Sequence, residues 1–267
     1  MALLEIRDLC KFFGGLAATH EVSMEIREGE LLSVIGPNGA GKTTLFNLIT
    51  GIIPSDRGKI SFRGSAITGL KPHSIAKLGI GRTFQSTNLF NDKSVFENLL
   101  VGHHCITRAG VWDALLRTAL WQEEEAWIRE KAMETLEFVG LRAHENELAM
   151  NIPTEAQKRL AIGLALVANP KLILLDEPMG GMNVEESIEL THMIQRIKEK
   201  GITICLIEHK MRVVMNISER IVVLNYGKKI AEGPPEEIKK NKDVVEAYLG
   251  ADYVTYTHRC ACQLWDP

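Results

Sequence analysis

The chain has 267 residues, of which 45% are hydrophobic and 24% are charged, and its formal net charge is −3. This ordinary globular composition predicts one large α/β domain or two small ones, and without a basic excess we expect no nucleic-acid partner. The apolar runs are far shorter than a membrane span, and the first residues lack a signal-peptide pattern, so we expect a cytosolic protein whose membrane role, if any, runs through a partner.

Two alternating segments near the N-terminus, Leu3–Leu9 and Glu21–Arg27, predict half-buried strands. An aromatic and glycine-rich segment, Lys11–Leu16, lies between them and predicts a loop. Its Phe13 fits two roles: it covers the sheet, or it stacks on the face of an adenine ring. We favour stacking because a phosphate-binding pattern follows downstream.

That pattern begins with an apolar run, Leu31–Ile35, which predicts a strand. A glycine-rich loop follows, and a helix-like run starts near Lys42. The glycines allow backbone amides to approach phosphate oxygens, and the helix adds the positive end of its dipole. This order of strand, loop and helix predicts a cradle for phosphate groups.

Two side chains of the cradle have expected roles of their own. Lys42 can reach the β- and γ-phosphates, and the Thr43 hydroxyl can ligate Mg²⁺. Thr44 is less informative, since it can simply help to start the helix. The predicted nucleotide-contacting residues of this stretch are Gly36, Pro37, Asn38, Gly39, Ala40, Gly41, Lys42, Thr43 and Thr44.

The middle of the chain changes in character. Pro72–Leu78 predicts a short helix, and Gly79–Gln85 predicts a strand that ends in a glutamine. The segment that follows is mixed and strongly helical, especially over Trp112–Val139. We therefore expect residues 86–168 to form a helical insertion within an α/β fold.

A second apolar strand carries acids at its tip. The stretch Lys171–Pro178 places four apolar residues before Asp176 and Glu177. Ligands bind at the carboxyl edge of open parallel sheets, and both acids are predicted to lie there. Asp176 is then placed to hold Mg²⁺ through water, and Glu177 is placed to polarise an attacking water molecule.

The C-terminal third continues the alternation of helices and strands. Val184–Lys200 predicts an amphipathic helix, and Ile202–Ile207 predicts a further buried strand. His209 lies just beyond that strand, next to the predicted carboxylate strand, where we expect it to contact a γ-phosphate. Asn225–Lys228 has the composition of a hairpin turn.

Together these motifs resemble the nucleotide-binding domain of ABC transporters over about residues 3–250. The resemblance matches Gly36–Thr43 to the Walker A loop and Leu172–Asp176 to Walker B, with Glu177 as the catalytic carboxylate. It implies an α/β P-loop NTPase (RecA-like) cassette with an antiparallel β subdomain and an inserted α-helical subdomain. The cassette spans residues 1–250, and residues 251–267 form an appended tail.

The resemblance assigns further roles. It implies that Gln85 is the Q-loop glutamine, that Gly180–Asn183 is the D-loop, that His209 is the switch histidine and that Phe13 is the A-loop aromatic. It groups Gln85 and His209 with Glu177 as catalytic residues. It also implies ATP and Mg²⁺ as cofactors, with Gln85 joining Thr43 and Asp176 around the metal.

Finer features resemble the ATP-binding subunits of branched-chain amino-acid importers, although amide and urea importers share much of the pattern. They include the glycine turn after Phe13, the segment Gly81–Gln85, the insertion with Trp112, and the segment Val244–Gly250. This resemblance implies a head-to-tail pair of ATP-binding subunits on membrane permease subunits, served indirectly by an external solute-binding protein. The chain is then peripheral, at the cytoplasmic face of the cell membrane.

One departure lies where the family carries its signature motif. Thr154, Glu155 and Ala156 occupy that place, and Glu155 stands where a glycine normally touches the γ-phosphate of the partner's ATP. Two like charges about 4 Å apart repel by roughly 4 kcal/mol at an effective dielectric near 20, unless the side chain swings away. We therefore expect this composite site to be weak, which favours a heterodimer. The alternative is a largely inactive partner in an asymmetric dimer.

Overall fold

A six-stranded sheet forms the centre of the molecule, with the strand order β10-β9-β3-β8-β7-β6. The structure is a computed structural model and describes residues 1–84, 89–103, 113 and 118–249. Gln85, Trp112 and the tail 251–267 lie outside these ranges. The strands of this sheet are β3 (Leu31–Ile35), β6 (Ile80–Arg82), β7 (Leu172–Asp176), β8 (Thr203–Ile207), β9 (Arg220–Asn225) and β10 (Lys228–Gly233).

A second, antiparallel sheet has the order β2-β1-β4-β5. Its strands are β1 (Ala2–Phe13), β2 (Leu16–Arg27), β4 (Arg57–Phe62) and β5 (Ser65–Ala66). The predicted loop over Lys11–Leu16 is wrong at both ends, because β1 runs on to Phe13 and β2 begins at Leu16. Only the turn Gly14–Gly15 separates them, so Phe13 is the last residue of a strand.

The described residues form nine α-helices, and those that begin at Lys42, Pro72 and Val184 begin where the sequence predicts. They are α1 (Lys42–Ile49), α2 (Pro72–Lys77), α3 (Val95–His103), α4 (Ala119–Phe138), α5 (Thr154–Val167), α6 (Val184–Glu199), α7 (Met211–Ile217), α8 (Pro235–Ile238) and α9 (Lys242–Leu249), with a 3₁₀ turn at Arg142–His144. The helices α3, α4 and α5 all lie in the chain between β6 and β7. No described helix is long and apolar enough to cross a bilayer.

The central sheet is buried on both faces, which explains why β3, β7 and β8 read as continuous apolar runs. Alternate residues enter different cores. Leu174 packs on the side of α1 and the antiparallel sheet, whereas Ile173 and Leu175 pack on the side of α5 and α6. The inserted helices are thus anchored to one face of the sheet that carries the candidate site.

The register of the central strands brings three loops together. Strands β3, β8 and β7 are parallel neighbours, with Val34 opposite Ile207 and Asp176 opposite Ile207. Their carboxyl ends therefore lie level at one edge, where ligands of open α/β sheets bind. The glycine loop follows β3, Glu177 follows β7 and His209 lies two residues beyond β8.

Candidate nucleotide-binding site

The glycine loop after β3 is packed so closely that side chains are excluded at two positions. Gly36 has a φ of 151°, and a Cβ there would lie 2.1 Å from the carbonyl oxygen of Leu224. Gly41 has a φ of 101°, and its Cβ would lie 2.2 Å from the carbonyl oxygen of Ala18. Both glycines are required by conformation and by space, so the loop keeps the bare backbone that an amide-lined phosphate cradle needs.

Lys42 opens α1 and is buried. Its Nζ donates to the carbonyl oxygens of Gly36 at 2.7 Å and Pro37 at 3.0 Å. Burial lowers the pKa of Lys42, and the nearby carboxylates of Glu177 and Asp176 act in the opposite direction. A cation therefore lies at the base of the loop, compensated by the two acids at the carboxyl end of β7.

Asp176, the last residue of β7, is held through one carboxylate oxygen. Its Oδ2 accepts a hydrogen bond from Arg82 at 3.1 Å, and its backbone N–H donates to the Thr83 hydroxyl at 3.1 Å. Its Oδ1 is buried and has no hydrogen-bond partner among the residues that the structure describes. Burial raises the pKa of Asp176, whereas Arg82 and Lys42 lower it. An orphaned, oriented carboxylate oxygen fits the needs of a divalent cation.

Arg82 has a site role that the sequence reasoning missed. Besides the ion pair with Asp176, its Nη1 donates to Asn47 Oδ1 at 2.8 Å and to Thr50 Oγ1 at 3.0 Å, near the C-terminal end of α1. Its guanidinium also lies 4.8 Å from the ring centroid of Phe84. Arg82 thus fixes Asp176 relative to the helix of the phosphate loop and to the residue that precedes Gln85. The sequence segment Gly81–Gln85 contained this arginine, but only the tertiary fold brings it to Asp176.

Glu177 and His209 form a pair across the edge of the sheet. His209 Nε2 lies 2.7 Å from Glu177 Oε1. Glu177 has a φ of 48°, which is uncommon for a residue with a side chain, and its N–H donates to the Ile207 carbonyl at 2.9 Å. Such backbone conformations concentrate at functional sites. The two residues predicted to act on water and on the γ-phosphate therefore lie in direct contact.

Glu208 supports this pair and was not singled out from the sequence. Its buried carboxylate accepts hydrogen bonds from the N–H groups of Met179 at 2.8 Å, His209 at 2.8 Å and Lys210 at 3.2 Å. It thereby ties the loop after β7 to the loop after β8. An acid between an apolar strand and a candidate histidine was the signal available in the sequence.

A cavity of about 370 Å³ is lined by most of the residues predicted to contact the nucleotide. Its lining comprises Phe13, Leu16, Ala17, Ala18, Asn38, Gly39, Ala40, Gly41, Lys42, Thr43, Thr44, Glu177, His209 and Tyr226. Asp176 lines a smaller adjoining cavity together with Glu177. Gly36 and Pro37 do not line this cavity, but their carbonyl oxygens accept hydrogen bonds from Lys42, and Gln85 is outside the described residues. The bare-backbone loop, the buried cation and the orphaned Asp176 oxygen fit a Mg²⁺–nucleotide.

The predicted signature residues open α5 and do not line this cavity. Thr154 is exposed, and Ala156 is buried. Glu155 forms an ion pair with Arg159, one helical turn further on, and Arg159 also pairs with Glu189 of α6. The Glu155 side chain therefore lies along its own helix, next to the positive charge of Arg159.

Comparisons with known proteins agree with this geometry. Residues 19–180 match the family model described as "ABC transporter", and residues 228–254 match the model described as "Branched-chain amino acid ATP-binding cassette transporter". The chain is similar to the high-affinity branched-chain amino acid transport ATP-binding protein LivG of Salmonella typhimurium, with 43% identity over 93% of this chain and 98% of that protein.

Solved structures give the same result. A nucleotide-free ATP-binding cassette from an ABC transporter superposes with a TM-score of 0.82 and 35% identity, covering 94% of this chain and all of that one. The ADP conformation of such a cassette also gives 0.82, with 34% identity over 94% of this chain and 99% of that one. The family resemblance and the fold predicted from the sequence are therefore confirmed. The chain belongs to the ABC transporter family and is an ATP-binding cassette ATPase.

Proposed function

We propose that the chain is the ATP-binding and ATP-hydrolysing motor subunit of an importer for branched-chain amino acids. The observation that carries this proposal is the contact between His209 and Glu177, 2.7 Å apart, in a cavity also lined by Lys42 and its glycine loop. Binding and hydrolytic groups thus share one site. The relatives named for branched-chain amino acid transport support the solute class.

Nucleotide binding is assigned to the loop and to Lys42. The backbone amides of residues 36–43 and the start of α1 provide donors and a positive dipole end for the phosphates. The Lys42 ammonium, now shared between two carbonyl oxygens, supplies the charge for the β- and γ-phosphates. Phe13 is half exposed in the cavity and provides a face for the base.

The cation is assigned to Thr43 and Asp176, with Gln85 as a further ligand. When bound, Mg²⁺ neutralises charge that develops on the phosphate oxygens. Arg82 holds Asp176 Oδ2 and leaves Oδ1 available. The pairing with Arg82 therefore orients the carboxylate rather than occupying both of its oxygens.

Hydrolysis is assigned to Glu177 and His209. Glu177 orients and polarises the attacking water molecule, and a carboxylate in that role typically contributes 10²–10⁴-fold. Hydrogen bonding to His209 restricts the rotamer of Glu177, and Glu208 fixes the backbone at His209. We assign to His209 the role of contacting the γ-phosphate while it remains hydrogen-bonded to the carboxylate of Glu177.

Two kinds of partner are proposed. A second ATP-binding subunit supplies its signature helix to this cavity, while Thr154, Glu155 and Ala156 face the nucleotide of that subunit in a head-to-tail pair, with a heterodimer favoured. Permease subunits dock on an apolar groove of about 340 Å³ that is lined in part by Phe84, the residue before Gln85 in the sequence. Its lining includes Ile52, Ile75, Phe84, Leu164 and Ala168.

This assembly places the chain at the cytoplasmic face of the membrane, with an external solute-binding protein as an indirect partner. The two alternatives raised by the sequence are not favoured. The similarity to branched-chain amino acid transport proteins favours that solute class over amides or urea. The ion pair between Glu155 and Arg159 removes the charge argument for a largely inactive subunit.

The test compares Glu177→Gln and Lys42→Ala in complexes co-purified with their membrane subunits and reconstituted in vesicles. Glu177→Gln should bind ATP but lose at least about 100-fold in hydrolysis and in leucine uptake. Lys42→Ala should lose ATP binding itself. Glu199→Gln, an exposed acid at the end of α6, is the matched control and should leave both rates unchanged. Hydrolysis and uptake at the wild-type rate in Glu177→Gln would refute the assignment.

A further inference from the structure

Tyr226 stands in the hairpin between β9 and β10, in a conformation that its residue type disfavours. Lys228 pairs with Asn225, so Tyr226 and Gly227 form a two-residue turn, with φ angles of 45° and 75°. Two positive φ values define the hairpin turn for which Asn or Gly is preferred at the first position. A bulky aromatic residue there is a conformational outlier.

The packing of the turn does not compensate for this conformation. The backbone of Gly227 is clamped: its N–H donates to Ala40 of the phosphate loop at 3.1 Å, and its carbonyl accepts from His20 of β2 at 2.7 Å. The Tyr226 side chain takes no part in this clamp and is 84% exposed. Folding therefore gains little from the ring, although the ring adds strain to the turn.

The ring lies at the nucleotide cavity. Tyr226 lines it together with Phe13 and Leu16, which are 51% and 69% exposed. The rest of the lining is Ala17 and Ala18 of β2 together with the amide loop, Lys42 and the hydrolytic pair, and only the loop, Lys42 and that pair suit phosphates. Aromatic faces are electron-rich and attract no anion, so an aromatic and aliphatic part of the lining suits the uncharged half of a nucleotide.

We propose that Tyr226 is a second aromatic contact for the nucleoside part of the bound nucleotide, in addition to Phe13. The proposal rests on the proposed nucleotide binding and deepens it. The exposed ring of Tyr226 gains its contacts from the ligand instead of from the protein. Because any base has a π-face, the contact strengthens binding of purine nucleotides without selecting strongly among them.

The test separates the nucleoside from the phosphates by using ADP and inorganic pyrophosphate as ligands. Equilibrium dialysis gives their dissociation constants for the wild-type chain and for Tyr226→Asn, Tyr226→Phe and Lys42→Ala. Tyr226→Asn should weaken ADP binding at least about fivefold, the lower end of a lost aromatic–base stack, and leave pyrophosphate binding within about twofold. Tyr226→Phe keeps the ring and should keep ADP binding.

Thermal unfolding without ligand provides a second readout of opposite sign. Because Asn suits the turn better than Tyr, the Tyr226→Asn protein should melt no lower than the wild type. Unchanged ADP binding in Tyr226→Asn would overturn the inference, and so would an equal loss for ADP and pyrophosphate, which would mean that the turn only shapes the phosphate loop. A wild-type chain that binds no ADP would overturn the proposed function as well. Loss of ADP binding in Lys42→Ala, with binding retained in the wild type, is the result that the proposed function expects.

Discussion

Arg159 is expected to neutralise Glu155, the glutamate at the predicted position of the signature glycine. In the proposed dimer, Glu155 at the start of α5 faces the triphosphate bound by the other subunit. An uncompensated carboxylate about 4 Å from a phosphate charge would cost roughly 4 kcal/mol at an effective dielectric near 20. Arg159 pairs with Glu155, and the two side chains are only 17% and 20% exposed, so their charges largely cancel toward the ligand.

Removal of the arginine should therefore impair the enzyme more than removal of the glutamate. Since the pair is partly solvated, we discount the 4 kcal/mol to about 1.4 kcal/mol, or roughly tenfold in the apparent affinity for ATP. Arg159→Gln should raise the KM for ATP by at least this factor in the reconstituted complex. Glu155→Gln should change it by less than about threefold, and the double variant should return near the wild type, as expected for coupled neighbours.

The assay is steady-state ATP hydrolysis over a range of ATP concentrations, with thermal unfolding to confirm that each variant is folded. Arg129→Gln is the matched control, because Arg129 forms an ion pair of the same spacing with Glu125 on α4. It should leave the KM unchanged. An Arg159→Gln enzyme with the wild-type KM, or a double variant as poor as Arg159→Gln alone, would refute the compensation argument.

Two further predictions concern the cradle and its support. Arg82→Met should lower the free energy of unfolding by about 3–5 kcal/mol in urea titrations, because it leaves the buried Asp176 carboxylate unpaired; a loss below about 1 kcal/mol would contradict the buried ion pair. Gly41→Ala should abolish ADP binding in equilibrium dialysis, since its Cβ meets the Ala18 carbonyl at 2.2 Å, whereas Gly201→Ala, at a φ of 80° with open space around its Cβ and outside the cavity, should retain binding. Equal effects at the two glycines would show that a strained backbone, and not the close contact, explains the loss.

Much of the site was predictable because its parts follow local rules. The buried strands β3, β7 and β8 were recognisable as apolar runs, and their parallel pairing brings the loops that follow them to one edge. Loop residues near Lys42, Glu177 and His209 therefore converge without any knowledge of side-chain contacts. Phe13, which the sequence analysis assigned to the base, lines the cavity, although it is the last residue of a strand and not part of the predicted loop.

The supporting residues were not predictable in this way. Arg82 lies 94 residues from Asp176 in the chain, and Glu208 accepts a hydrogen bond from Met179, 29 residues away. Neither contact follows from periodicity or spacing, because the first arises from the pairing of β6 with β7 and the second arises where the loops after β7 and β8 meet. Tyr226 fell within a predicted turn, yet the pattern of a turn does not tell which surface lies beside it.

Glu155 shows how a local rule can change a functional argument. Treated alone, it adds bulk and a negative charge where a glycine is expected. Arg159 lies four residues further along the same helix, a spacing at which opposite charges pair, so the sequence itself contained the compensating residue. Once the charge is neutralised, only the bulk of the side chain separates this helix start from a glycine-bearing one. The case for a heterodimer therefore rests on steric fit at Glu155, and a Glu155→Gly chain that gains no activity as a homodimer would remove that case.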